Sequence, residues 1–362
     1  MTRTLAFLAS VTVVVQPFRA ASTVAQTPAT KPLVYVLSTG GTISGRGDSS
    51  TNLTDYRSGS LLGEQLVAGV PEINAIADVR VEQVANVSST DIGPSHWLTL
   101  TKRIDRIFTD DRNVAGVVIT HGTNTLEETA YFLNLTVHHD RPVVLVGSMR
   151  PSTAISADGP INLLNGIRTA TSSDARGKGV LVVLNDEINA ARDVTKTNTL
   201  RVETFRAPEL GLLGYVDGDR VSFYRTSTRR HTTRSEFDVT ALPLLPSVQI
   251  VYSYAGAGTS PLDAAVASGV AGIVIAGTGN GLVSSEERTV LRRIAAMDRA
   301  RRPVVVRSAR VGNGRVTPQA AYDEMDAIPA DNLNPQKARV LLMLALTKTR
   351  DPKEIARMFA EY

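Results

Sequence analysis

The stretch Val117-Val118-Ile119-Thr120-His121-Gly122-Thr123-Asn124-Thr125-Leu126-Glu127-Glu128-Thr129-Ala130 decides the reading of the fold. The apolar run 114–119 suits a strand covered on both faces. Gly122 lets the backbone turn sharply. Thr125 and Glu128 have the spacing of a capping box and predict a helix from there to about Val137. Strand, hydroxyl-rich turn and helix start therefore place Thr123 and Asn124 at a strand's carboxyl end, beside a helix N-terminus. Open α/β sheets bind ligands at that position.

Working outward, residues 33–37 read as a first strand running into Ser38-Thr39-Gly40-Gly41-Thr42-Ile43. Residues 44–60, with Tyr56, form a loop of a length that is often functional. A short helix over 61–67 and a strand over 79–87 follow, the latter ending in Ser88-Ser89-Thr90-Asp91. After Pro94, Trp97, Leu100, Ile104, Ile107 and Phe108 fall on one helical stripe. Beyond the central stretch come a strand at 142–146, a helix opening at Asp158-Gly159-Pro160 and a strand at 179–184. This alternation predicts a largely parallel sheet with helices on both faces. Residues 185–204 read as polar and irregular, carrying Arg192, Asp193, Lys196 and Asn198. A hairpin turning at Asp217-Gly218 comes next. The aperiodic segment 226–246 reads as an interdomain linker, with Arg229-Arg230-His231 as a solvated basic cluster. The second half repeats the rhythm, with strands at 248–252, 272–276 and 304–307 and helices near Pro261, Ser285, Asn334-Pro335 and Asp351-Pro352. The domains so predicted are 31–225 and 247–362, joined by 226–246.

At 362 residues the chain is long enough for two domains, and its 43% hydrophobic and 20% charged content is ordinary for a globular protein. Arg3, the apolar run 5–15 and the small residues after it read as a secretory signal peptide over 1–25, because the run is too short to span a bilayer. Removal of Arg3 and Arg19 with it takes the formal net charge from +4 to +2. That charge is too weak and dispersed to argue for a nucleic-acid or membrane partner. The chain has no cysteine, so disulfide and thiol chemistry are excluded.

Chemistry is suggested by three strand-end loops that carry clustered hydroxyls: Thr39 and Thr42, residues 88–91, and residues 120–125. In a parallel sheet these ends point the same way, so the loops are placed to converge on a small amide or anion. Any single loop has the alternative reading that Ser and Thr satisfy turns and caps. Gly40-Gly41 and Gly277-Thr278-Gly279-Asn280-Gly281 lack the full phosphate-loop patterns. His138-His139 lacks zinc spacing, and there is no Gly-x-Ser-x-Gly elbow. Lys196 is a candidate base, since a lysine beside a hydroxyl activates it once its own pKa is lowered.

As a pattern, residues 38–43 and Thr120-His121-Gly122-Thr123-x-Thr125-Leu126-Glu127-Glu128-Thr129-Ala130 closely resemble the two signatures of bacterial asparaginases, in particular the secreted type II asparaginase and glutaminase-asparaginase branch. The resemblance continues through 149–153, 156–160, Arg192-Asp193-Val194-Thr195-Lys196-Thr197-Asn198 and 333–340, and spans about 33–362. It implies a two-domain α/β protein, with a larger N-terminal flavodoxin-like parallel-sheet domain and a smaller C-terminal α/β domain. It implies hydrolysis of L-asparagine to L-aspartate and ammonia, often with L-glutamine as a second substrate, and no cofactor. It also implies a periplasmic or secreted homotetramer whose sites are completed by a neighbour's second domain. By position, Thr42 resembles the nucleophile, Tyr56 the lid tyrosine, and Thr123 with Lys196 the second hydroxyl and its basic partner. Ser89 resembles the hydroxyl that holds the substrate α-carboxylate, and Thr90 the next substrate contact.

The departures lie in the ammonium pocket. Asn124 stands where the family has Asp, a residue that helps hold the substrate ammonium and completes the Thr-Lys-Asp arrangement. Asn is nearly isosteric with Asp but carries no charge. Family members often have Gln or Glu at the position of Thr90, and the acidic residue lent by a neighbour falls near Ala321, with Asp323 and Glu324 close by. The expectation is an asparaginase weakened by Asn124. The alternatives are an amino-acid-binding homologue and an amidase for substrates lacking the α-ammonium.

Overall fold

The computed structural model describes residues 30–218 and 220–362; the predicted leader lies outside them. The elements of the first half are β1 (Leu33–Gly40), α1 (Gly63–Ala68), α2 (Ile73–Ile76), β2 (Asp78–Val87), α3 (Pro94–Asp110), β3 (Val114–Thr120), α4 (Leu126–Thr136), β4 (Val143–Val146), α5 (Gly159–Thr171) and β5 (Val180–Leu184). Short strands follow: β6 (Glu187–Ala190), β7 (Thr195–Lys196), β8 (Phe205–Arg206), β9 (Gly214–Val216) and β10 (Val221–Phe223). The second half contains β11 (Val248–Tyr252), α6 (Ser260–Ala267), β12 (Gly272–Gly277), α7 (Ser285–Ala295), β13 (Val304–Ala309), β14 (Ile328–Pro329), α8 (Pro335–Ala345) and α9 (Pro352–Glu361).

The large sheet has the order β10-β9-β6-β5-β4-β3-β1-β2 and is parallel from β2 through β5. That 2-1-3-4-5 core is the flavodoxin-like order, whose switch point lies between β1 and β3. Side-chain alternation explains why both faces are covered. Val34, Val36, Val118, Val144 and Val146 pack with Leu66 and the α5 residues Leu163 and Ile167 on one face. Tyr35, Leu37, Val117, Ile119, Val143 and Leu145 pack with Trp97, Leu100, Ile104, Leu126 and Ala130 of α3 and α4 on the other. The chain leaving β1 therefore feeds α1 on one face, while that leaving β3 feeds α4 on the opposite face, opening a crevice between their carboxyl ends.

The second sheet, β11-β12-β13-β14, is wholly parallel. α6 and α7 cover one face through Leu262, Val290, Leu291 and Ile294. The other face meets α8, whose Val340, Leu341 and Leu344 belong to the same apolar cluster as α3 and α4. Asn334 caps α8 by accepting from the Lys337 N–H at 3.0 Å, with Pro335 in the first turn, as the cap-and-proline pattern predicts.

Three local expectations are corrected. Residues 185–204 are not irregular throughout: β6 pairs antiparallel with β5 around Asn185 and Asp186, both at positive φ (53° and 63°). These are the angles of a two-residue hairpin turn made without glycine. Thr125 stands at the N-cap of α4, but its hydroxyl does not cap the helix; it donates to the Ser89 carbonyl at 2.5 Å. The basic cluster at 229–231 is not simply solvated. Arg229 pairs with Asp331 at 2.7 Å, Arg230 with Glu361 at 2.6 Å, and His231 is buried. Phe237, Val239 and Leu245 of the same segment are buried in the main core.

Candidate active site

The two signature loops meet backbone to backbone at the switch point. A Cβ on Gly41 would lie 2.2 Å from the Gly122 Cα, and Gly41 has φ +83°. A Cβ on Gly122 would lie 2.7 Å from Ser89 Oγ. Only glycine at both positions allows the loops after β1, β2 and β3 to close on one another. The residues that follow, Thr42 and Thr123, therefore stand on touching loops, and Ser89 comes in from the third loop.

The hydroxyls divide into structural and presented ones. Thr39 donates to the Thr120 carbonyl at 3.0 Å, and Thr120 donates to Ser38 Oγ at 3.1 Å. Thr42, buried at the start of a short 3₁₀ turn, shares a 2.6 Å hydrogen bond with the Tyr56 hydroxyl. The loop carrying Tyr56 is held over it by reciprocal backbone hydrogen bonds between Arg46 and Arg57. Ser89 Oγ accepts from the Asn124 N–H at 3.1 Å, which leaves its own hydrogen to donate. Thr90 is exposed and donates to Ser88 Oγ at 2.9 Å.

Lys196 closes the far side. Its Nζ donates to Thr123 Oγ1 at 2.9 Å and to Asn124 Oδ1 at 3.2 Å. Desolvation by burial lowers its pKa from the ordinary lysine value, and the nearby Glu127 charge acts in the opposite sense. A lysine so placed is poised to lose a proton and to accept one from Thr123. A recess of about 330 Å³ lies beside it, lined by Asn124, Lys196, Thr197, Asn198 and Thr199.

His121 lies beneath this floor. Its Nδ1 faces the Gly122 carbonyl at 2.7 Å and must carry the proton. Nε2 then accepts from Thr129 Oγ1 at 3.0 Å, and Thr129 in turn accepts from Trp97 Nε1 at 2.9 Å. His121 is therefore a neutral structural residue, and burial holds its pKa at about 4. Burial also holds His231 at about 4, and pushes Glu128 up to about 7. For each histidine the folded pKa is below the unfolded one, so its stabilisation is complete above about 6.5 and lost as pH falls towards 4. Glu128 acts oppositely: its contribution is complete below about 4.5 and lost as pH rises to 7. Two histidine slopes against one carboxylate leave a net loss on acidification of about 1.4 kcal/mol per pH unit between 6.5 and 4.5. Urea unfolding at pH 4.5, 5.5 and 6.5 should show this decline; a stability that instead rises on acidification would mean that both histidines are charged in the fold.

One residue of weight escaped the sequence reading. Glu127 is buried, only 5% exposed, and accepts from the Lys196 N–H at 2.9 Å. The sequence offered only an acid in a first helical turn, which the helix dipole explains without any site. Among the described residues there is no cluster of three or more His, Asp and Glu fit to hold a metal, and no helix long and apolar enough to cross a membrane.

Residues 33–229 match the family model for the asparaginase N-terminal domain, and residues 247–359 that for the glutaminase/asparaginase C-terminal domain. The chain belongs to the asparaginase family. It is 51% identical to L-asparaginase 2 of Bacillus subtilis (strain 168) over 332 residues, covering 91% of this chain and 87% of the relative. It is 46% identical to the glutaminase-asparaginase of Pseudomonas fluorescens biotype A, covering 91% and 90%. The crystal structure of a probable cytoplasmic L-asparaginase from Campylobacter jejuni superposes with a TM-score of 0.88 at 46% identity, covering 92% of this chain and all of that one. Asparaginase membership accords with the α/β architecture of a large, mainly parallel sheet and a separate small parallel sheet.

Proposed function

We propose that this chain hydrolyses L-asparagine to L-aspartate and ammonia, with L-glutamine as a second substrate. The observation that carries this is the pairing of two hydroxyls in touching loops, Thr42 with Tyr56 at 2.6 Å and Thr123 with Lys196 at 2.9 Å. Thr42 Oγ1 attacks the side-chain amide carbon, and Tyr56 relays the hydroxyl proton. The tetrahedral adduct expels ammonia, which takes up a proton, and leaves an ester on Thr42. Thr123, deprotonated towards Lys196, activates the water that cleaves this ester and restores the Thr42 hydroxyl. Ser89 holds the substrate α-carboxylate through its available hydrogen, with Thr90 at the rim.

Asn124 makes the site weak for a substrate bearing an α-ammonium. It is neutral, and its Oδ1 already accepts from Lys196. A charge-assisted hydrogen bond is worth roughly 1.5–3 kcal/mol, or about 10- to 150-fold. Asn124→Asp should therefore raise kcat/KM for L-asparagine by about 10- to 150-fold. The new carboxylate also favours the charged form of Lys196, so the acidic limb of the pH–rate profile should move to higher pH. The same feature supports a second reading, an amidase for substrates without the α-ammonium. The paired ammonia-release assay decides among the readings. A native protein already as fast as its Asp variant defeats the missing-charge account. A preference for succinamate over L-asparagine selects the amidase. Silence from both forms, with L-aspartate still bound, leaves an amino-acid-binding homologue. No step of the proposed reaction calls for a cofactor.

The proposal extends to export and assembly: a leader over 1–25, a periplasmic or secreted location, and a homotetramer in which a neighbour's second domain completes each site. N-terminal sequencing of the exported protein and light scattering on the purified one test these points. An uncleaved terminus or a monomer with full activity would refute them.

A further inference from the structure

The residues around Glu127 form a polar bridge between the site and the second domain. Glu127 sits in the first turn of α4, where the helix dipole favours its charge. One carboxylate oxygen accepts from the Lys196 backbone N–H at 2.9 Å. The other accepts from Asn334 Nδ2 at 3.3 Å and from Gln336 Nε2, both at the N-terminus of α8. The next residue of that turn, Lys337, is buried, and its Nζ donates to the carbonyl of Arg192 at 2.8 Å and to that of Val194. Residues 192, 194 and 196 are thus pinned at alternate positions along the segment that delivers Lys196. Two pins come from Lys337 and one from Glu127.

We propose that Glu127 and Lys337 are a positioning pair that aims Lys196 at Thr123 and ties that aim to the N-terminal turn of α8. The inference rests on the reading above that Lys196 is the base for Thr123. Neither Glu127 nor Lys337 is a catalytic residue in it; both act through Lys196. A lysine side chain has many rotamers, and a productive hydrogen bond to one hydroxyl requires its backbone to be fixed. Loosening either pin lets the ammonium swing into the recess lined by residues 197–199. Glu127 has an electrostatic effect as well. It is the carboxylate facing Lys196 from α4, while α8 presents the neutral Asn334 and Gln336 with the cation Lys337, and the segment itself carries Arg192 and Asp193. The Glu127 charge favours the protonated form of Lys196 against its burial.

A purely structural carboxylate and a positioning one are separated by kinetics on the full-length protein. Glu127→Gln keeps the volume and removes the charge. It should lower kcat by roughly 10- to 100-fold with little change in KM, and move the acidic limb of the pH–rate profile to lower pH. Glu127→Asp restores the charge on a shorter arm, so the limb should return to its native place while kcat stays low. Gln336→Leu, on the second-domain side and without a charge change, should lower kcat several-fold and leave the limb unmoved. Glu127 variants that lose only thermal stability, with the limb in place, would overturn the proposal. So would a Gln336→Leu enzyme of native kcat. A fully active Lys196→Met enzyme would instead refute the underlying reading of Lys196.

Discussion

Replacing Thr42 by Ala should abolish ammonia release from L-asparagine, lowering kcat on the order of 10⁴- to 10⁶-fold, the scale set by removal of a covalent nucleophile. The size follows from the absence of a substitute. Thr123 lies in the adjoining loop, but its oxygen is held by Lys196 at 2.9 Å, whereas the Tyr56 hydroxyl is aimed at Thr42 at 2.6 Å. The fold should hardly notice, because the lost methyl and hydroxyl sit in a turn tied together by its own backbone and by Ser44. Thr42→Ser, which keeps the oxygen, should retain much of the activity. Steady-state kinetics with a melting curve for each variant make the comparison. If the alanine enzyme keeps a tenth of the activity while Thr123→Ala is dead, the two hydroxyls have exchanged roles.

Lys196→Met should cost about 10²- to 10⁴-fold in kcat, the range for a positioned acid–base group. Methionine keeps most of the length and the apolar stem but cannot take the Thr123 proton. The pH dependence supplies an independent check. Because burial lowers the lysine pKa, native kcat/KM should climb with pH and level off below the ordinary lysine value. The methionine variant should lose that climb. A variant that is slow but keeps the same ascending limb would assign the limb to another group, and the role of Lys196 with it.

The parallel sheet was legible because its signals are local: apolar runs of strand length, a turn residue after each, and, before α8 and α9, a polar cap followed by proline. The meeting of the candidate-site loops was legible for the same reason, since Thr42, Ser89 and Thr123 each follow a strand in sequence. What was missed depends on distant partners. The Thr125–Glu128 spacing says capping box, yet the Thr125 hydroxyl finds the Ser89 carbonyl in another loop. β6 went unread because its turn has no glycine and its strand includes Asn189, a buried amide with no hydrogen-bond partner. Glu127 looked like an ordinary helix-start acid, since the groups that reveal its role come from Lys196 and from α8, far along the chain. Segment 226–246 lacks periodicity because Phe237, Val239 and Leu245 enter the core from an extended strap rather than a regular element.

The apolar cluster that runs from α3 and α4 through α8 to the second sheet gives the family boundary near residues 229–247 a particular meaning. It divides two family domains but is not a mechanical seam. A hinge needs two bodies with separate cores and a thin polar contact between them. Here the helix that roofs the second sheet also packs on α4 of the first half, and the strap between them is anchored along its length. The two halves therefore share one core, with no separate bodies for a hinge to part.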